Sequence, residues 1–137
     1  MNPILRNVMA VIAGVAVGTL VNGGLIAVGS NLIPAPVTVT QDNLAAIADS
    51  LHLFTPKHYL FPFLAHALGT LAGAFTAVKL SSNKHIGFGL GLGAFFLMGG
   101  IAAATMIPAH TWFVVTDLLC AYLPMGWLGW KLAGGQR

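Results

Sequence analysis

Four apolar stretches constrain this chain more than any other feature: Val8 to Gly29, Tyr59 to Val78, Ile86 to Ile107 and Trp112 to Trp130. At 1.5 Å per residue each makes a helix of roughly 28 to 33 Å, the thickness of bilayer hydrocarbon. Lipid offers a backbone no hydrogen-bond partner, so a spanning segment must satisfy its own amides, and a helix does so. The expected fold is therefore all-α: a polytopic membrane protein with four transmembrane helices (8–29, 59–78, 86–107, 112–130) in a single domain over residues 1–137. Composition agrees. With 57% hydrophobic and 7% charged residues, the chain has too few solvating groups for a water-soluble globule.

The basic residues orient the spans. Arg6 precedes the first, Lys79 and Lys84 bracket the second connection, and Lys131 and Arg137 follow the fourth, whereas Lys57 stands alone on the other side. The excess of cytoplasmic Lys and Arg then puts both termini in the cytoplasm, with 30–58 and 108–111 outside. Basic groups scattered at helix ends make no clustered basic face, so nucleic acid is excluded as a partner and membrane lipid is expected. The first stretch is too long for the apolar region of a cleaved signal and reads as an uncleaved anchor. Cys120 is the only cysteine, so no intrachain disulfide forms, and a buried apolar role is expected for it.

Pro34 and Pro36 end the first helix. Beyond them Leu44, Ile47, Leu51 and Phe54 recur at helical spacing, which predicts an outer amphipathic segment within 37–55, with Asp42 as its N-cap, lying on the membrane or over the bundle mouth. Glycines recur on the spanning stretches, at Gly14 and Gly18, Gly69 and Gly73, and Gly89, Gly93 and Gly100. Small residues let helices approach closely in lipid. That reading also covers the run GFGLGLG, which has no preceding strand to make it a phosphate loop.

The two halves repeat some local patterns. GG and IPA recur in GGLIAVGSNLIPAP and GGIAAATMIPAH, and PKHYLF and PAHTWF each place a histidine two residues after a proline. A 2+2 duplication of helical hairpins, related by an axis along the membrane normal, is one account of this; biased composition is the other.

Asp117 is the sole acid inside a span, and an acid there costs on the order of 3 kcal/mol unless it finds a partner, a proton or water. Counting inward from the expected outer ends, Asn22, His66, Gly100 and Asp117 share one layer, with Thr70 a turn deeper. Asn22, His66, Thr70 and Asp117 are thus the candidate intramembrane polar site, and His58 and His110 the candidate outer mouth. An aspartate and a histidine that exchange a proton make a relay or a cation site; the plainer account is that the same groups only fasten helices. No spacing specifies a metal site, a cofactor or a catalytic set. Pro124, with Gly126 and Gly129, predicts a bend near Leu123, either a packing bend or a hinge.

The strings LFTPKHYLFPFLAHALGTLAGAF and TWFVVTDLLCAYLPMGWLGWKL resemble small four-helix bacterial inner-membrane proteins to which no activity is assigned. The resemblance implies a multi-pass protein of a bacterial cytoplasmic membrane and transfers no functional residue. Three function classes follow: transport or permeation of a proton, cation or small polar solute through the polar layer; a structural or accessory subunit in a homo- or hetero-oligomer; and an enzyme acting on lipid within the membrane.

Overall fold

The computed structural model describes residues 1–136. Arg137, counted above among the basic residues that orient the spans, lies outside the described residues. The described chain is all-helical, and four of its helical segments are long and apolar enough to cross a membrane: 3–32, 56–80, 86–106 and 111–132.

The first helix, α1 (Pro3–Leu32), is started by Asn2, whose side chain accepts from Ile4 N at 2.9 Å, and by Pro3 in its first turn. It runs three residues past the expected end at Gly29, because Ile33 N–H still reaches Gly29 O at 2.8 Å; Pro34, which has no N–H, follows. The outer segment folds differently from expectation. Its α-helix, α2 (Leu44–Asp49), has six residues and is flanked by single 3-10 turns at Gln41–Asn43 and Leu51–Leu53. Asp42 lies within the first of these turns, and the residue preceding α2 is Asn43, whose side-chain amide donates to Thr38 O at 2.9 Å. The apolar spacing still serves burial: Ile47 is 1% exposed beneath this segment.

Helix α3 (Pro56–Leu80) starts with a reciprocal cap between Thr55 and His58. It is the hub of the bundle, in contact with α1 along most of its length and with every later helix. Helix α4 (Ile86–Met106) is capped by His85, whose Nδ1 accepts from Gly87 N at 3.0 Å. The fourth span is broken rather than bent. It consists of α5 (Thr111–Cys120) and α6 (Leu123–Leu132), separated by Ala121 and Tyr122. Pro124 supplies the cause, since it offers no N–H to Cys120 O; Tyr122, at φ −118° and ψ −79°, leaves helical geometry just before it.

Glycines set the closest approaches. A Cβ on Gly14 would lie 2.7 Å from Gly73 O, and one on Gly69 would lie 2.9 Å from Gly18 O, so α1 and α3 meet backbone to backbone. The second hairpin does the same: a Cβ on Gly89 would lie 2.6 Å from Gly126 O. Cys120 departs from its expected burial and is exposed. Asp117, Ala121 and Tyr122 take the inner face around the break, which turns Leu119 and Cys120 outward.

At one end of the bundle, Arg6 Nε donates to Leu80 O at 2.8 Å and Asn7 Oδ1 accepts from Ser82 N at 2.9 Å. At that same end Lys84 O accepts from Trp130 Nε1 at 3.1 Å and from Gln136 N at 3.0 Å. Arg6, Lys79, Lys84 and Lys131 therefore share one end, with Lys57 at the other.

Candidate functional site

His66 and Asp117 meet. His66 Nδ1 lies 2.9 Å from each carboxylate oxygen of Asp117, and Tyr122 donates its hydroxyl to Asp117 Oδ2 at 3.2 Å. Asp117 is only 4% exposed, so these bonds take the place of water around it. An ionised carboxylate only accepts, so with Asp117 in that form the hydrogen between the two belongs to His66 Nδ1. The His66 ring stacks on Tyr122, with centroids 5.7 Å apart and planes at 28°. Nε2 is the ring atom left without a partner among the described residues.

Two helices and a break build this triad: His66 comes from the middle of α3, Asp117 from α5, and Tyr122 from between α5 and α6. Gly100 on α4 makes room for the tyrosine: a Cβ there would lie 2.8 Å from Tyr122 Cε2. Gly100, Tyr122, Asp117 and His66 thus make one polar layer.

The remaining expected members lie apart from the pair. Asn22 packs beside Gly69, where a Cβ added to the glycine would meet Asn22 Cβ at 3.1 Å. No hydrogen bond joins Asn22 to the pair among the described residues. Thr70, one turn below His66 on α3, is 1% exposed, and its hydroxyl has no hydrogen-bond partner among the described residues. Thr76 and Thr116, by contrast, bond the carbonyl four residues back at 2.8 Å.

His58 and His110 both lie at the Lys57 end of the bundle, the expected outer mouth, each held by its own contacts. His58 Nδ1 accepts from Thr55 N at 2.9 Å, while His110 Nε2 is 3.0 Å from Leu51 O and 3.2 Å from Phe54 O. Tyr59 stands beside His110, its ring 5.8 Å away and its hydroxyl accepting from His110 N at 3.3 Å. The histidines thus tie the outer segment to the bundle. Among the described residues no three His, Cys, Asp or Glu side chains gather as a metal site.

Above the His66–Asp117 pair is a chamber of about 660 Å³. Its walls come from the outer halves of α1, α3, α4 and α5, its roof from Ile33 to Val39 with Ile47 and Phe54, and its floor from His66 and Asp117. Lys57 and His58 stand at its outer edge. Inward of the floor the bundle is filled by Ala67, Ala121 and Tyr122, with Phe63, Phe96 and Leu97 against them. Neither the chamber nor Tyr122 was anticipated from the sequence. A chamber has no motif, and Tyr122 is five residues from Asp117, which in an unbroken helix sets the two about 140° apart.

No protein-family model, no curated protein and no solved structure matches this chain.

Proposed function

We propose that the chain is a small transport protein of a bacterial cytoplasmic membrane, which takes a small polar or cationic solute, or its proton, from the outer face onto the His66–Asp117 pair. The observation that carries this reading is that the bundle's one buried acid, bonded to a histidine at 2.9 Å, forms the floor of a chamber of about 660 Å³. Ionisable groups inside a membrane are costly and belong to pathways more often than to packing. Arg6, Lys79, Lys84 and Lys131 at the end opposite the chamber support cytoplasmic termini and an outward-facing chamber.

The packed layer beneath the floor speaks against an open pore and for two alternating conformations. The break between α5 and α6 lies beside the floor, and in this reading it is the hinge. Open space beside Gly23, Gly24, Gly91 and Gly99 on the outside of α1 and α4 supports self-association or a membrane partner subunit. Crosslinking in native membranes checks this, and monomer alone overturns it.

A second reading has an observation of its own. Helices α3 and α5 touch sparsely, and the His66–Asp117 bond joins them, so the pair would serve as a fastener in an accessory subunit. Asp117→Asn and His66→Gln separate the two in proteoliposomes. Transport requires variants that insert and assemble normally while flux falls by an order of magnitude or more; a fastener requires that assembly fail first. Release of product from a lipid extract would instead indicate an enzyme.

A further inference from the structure

The chamber's own geometry indicates what kind of solute it takes. Its roof faces the aqueous side and is largely apolar: Ile33, Val37, Val39 and Phe54 line it beside Thr38, with Ile47 at 1% exposure beneath the outer segment. The connecting segment is itself exposed, with Val39 at 47%, and the lateral wall is open as well. Helices α1 and α4 barely touch each other, and Ile26 on α1 and Ile107 on α4 both line the chamber while remaining 40% and 36% exposed on the outer surface. A residue that faces a cavity and the exterior at once marks an opening, and this one lies in the outer half of the spanning helices.

The interior is mainly aliphatic and aromatic, so a fully hydrophilic solute would lose its hydration without replacement. The polar exceptions are the floor and, toward the mouth, Ser30, Thr38, Lys57 and His58. Asp117 holds Nδ1–H of His66, which leaves the Nε2 lone pair as an acceptor for a ligand that donates a hydrogen bond. A volume of about 660 Å³ falls within the roughly 300–1,000 Å³ of small-molecule sites and suits one hydrocarbon chain with a small head group.

We propose that the chamber binds a single-chain amphiphile, which enters from the outer leaflet between α1 and α4 and donates a hydrogen bond from a hydroxyl or protonated carboxyl head group to His66 Nε2. The inference rests on the reading of this chamber as the solute site and names the class of solute.

The test uses the full chain in phosphatidylcholine liposomes with a long-chain alcohol carrying a diazirine in its tail, photolysed and mapped by peptide mass spectrometry. Label is expected on chamber residues such as Val114 and Leu118. An excess of monoolein or oleic acid should displace it, whereas glycerol or added phosphatidylcholine should not. Displacement by monoolein alone identifies a hydroxyl head, and by oleic acid alone a carboxyl head. His66→Gln is expected to weaken the probe about tenfold, the loss of one good hydrogen bond. Ala104→Phe narrows the chamber away from the Asp–His pair and should also exclude the probe, so the proposal stays testable if the His66 variant does not insert. Label confined to the outward-facing Val115 and Leu119, or chamber label indifferent to competitors, overturns the proposal; equal affinity in a well-inserted His66→Gln overturns the head-group placement. Chamber labelling without flux rejects transport and keeps this inference, whereas flux of a hydrophilic solute without chamber labelling does the reverse.

Discussion

Asp117 shows how a single residue becomes tolerable in a membrane. Its carboxylate receives His66 Nδ1 and the Tyr122 hydroxyl, and Gly100 leaves the space in which the tyrosine can reach it. Gly100→Ala should act at a distance, because the new methyl must push the Tyr122 ring aside and take its hydroxyl off Asp117. Tyr122→Phe removes the same bond without the push and should cost roughly 0.6 to 1.7 kcal/mol, the range of hydrogen bonds between membrane helices. Thermal unfolding in detergent, followed by near-ultraviolet circular dichroism, should therefore rank Gly100→Ala below Tyr122→Phe and both below the native chain. Thr70 is the opposite case, a buried hydroxyl with no partner among the described residues. Thr70→Val removes an unsatisfied group of nearly the same shape and should raise stability by about 1 kcal/mol. If the hydroxyl is the station below His66 on a transport path, flux should fall in this more stable variant; unchanged flux would remove Thr70 from the path. The His66–Asp117 contact was legible because a lone intramembrane acid must find a partner and helix rise converts residue number into depth. That Asn22 makes no bond to the pair was not legible, because depth along a helix does not fix which way a side chain points.

At the scale of elements, tight crossings carry the bundle and looser ones carry the site. Gly14 and Gly18 against Gly73 and Gly69 bring α1 onto α3, while Gly89 and Gly93 bring α4 onto α6, the latter against Gly126 and the Tyr122 backbone. Two glycines four residues apart thus recur at matching places in both hairpins, which supports the reading of a duplication beyond the GG and IPA strings. Gly14→Val and Gly89→Val are then expected to separate their hairpins and to lower assembly to a similar degree. Gly24→Ala is the control: it has open space around it and removes a helix-weakening glycine, so it should be neutral or stabilising by up to about 1 kcal/mol. Size-exclusion profiles of the three variants check this, and a severe defect in Gly24→Ala would show that α1 is covered on that side by another chain. The spans were legible from length and hydropathy. The division of the last span was legible only as a bend at Pro124, because the outcome depends on Tyr122 finding Asp117 and Gly100, contacts that sequence spacing does not encode. The outer helix was shortened for a related reason: its apolar residues are satisfied by covering the chamber, and that needs one buried Ile47 rather than a long regular face.

For the whole molecule, orientation decides what the chamber can meet. The four described basic residues at one end, against Lys57 at the other, favour an outward chamber, and a single cysteine makes the matter testable. Cys120 is exposed on the bundle surface beside the break in the fourth span, so in a bilayer it faces lipid. A membrane-impermeant maleimide should leave it unmodified in intact cells, and a lipid-soluble maleimide should modify it. With Cys120→Ala as background, cysteines placed at the exposed Gln41 and Gln136 report the two sides. Gln41→Cys is expected to react with the impermeant reagent in intact cells, and Gln136→Cys only after permeabilisation. The inverse pattern would turn the chamber toward the cytoplasm and make the inner leaflet the source of its ligand. The His66–Asp117 floor and the gap between α1 and α4 would keep their chemistry in that case, but the direction of transport would reverse, because the side on which the chamber opens determines which membrane surface loads it.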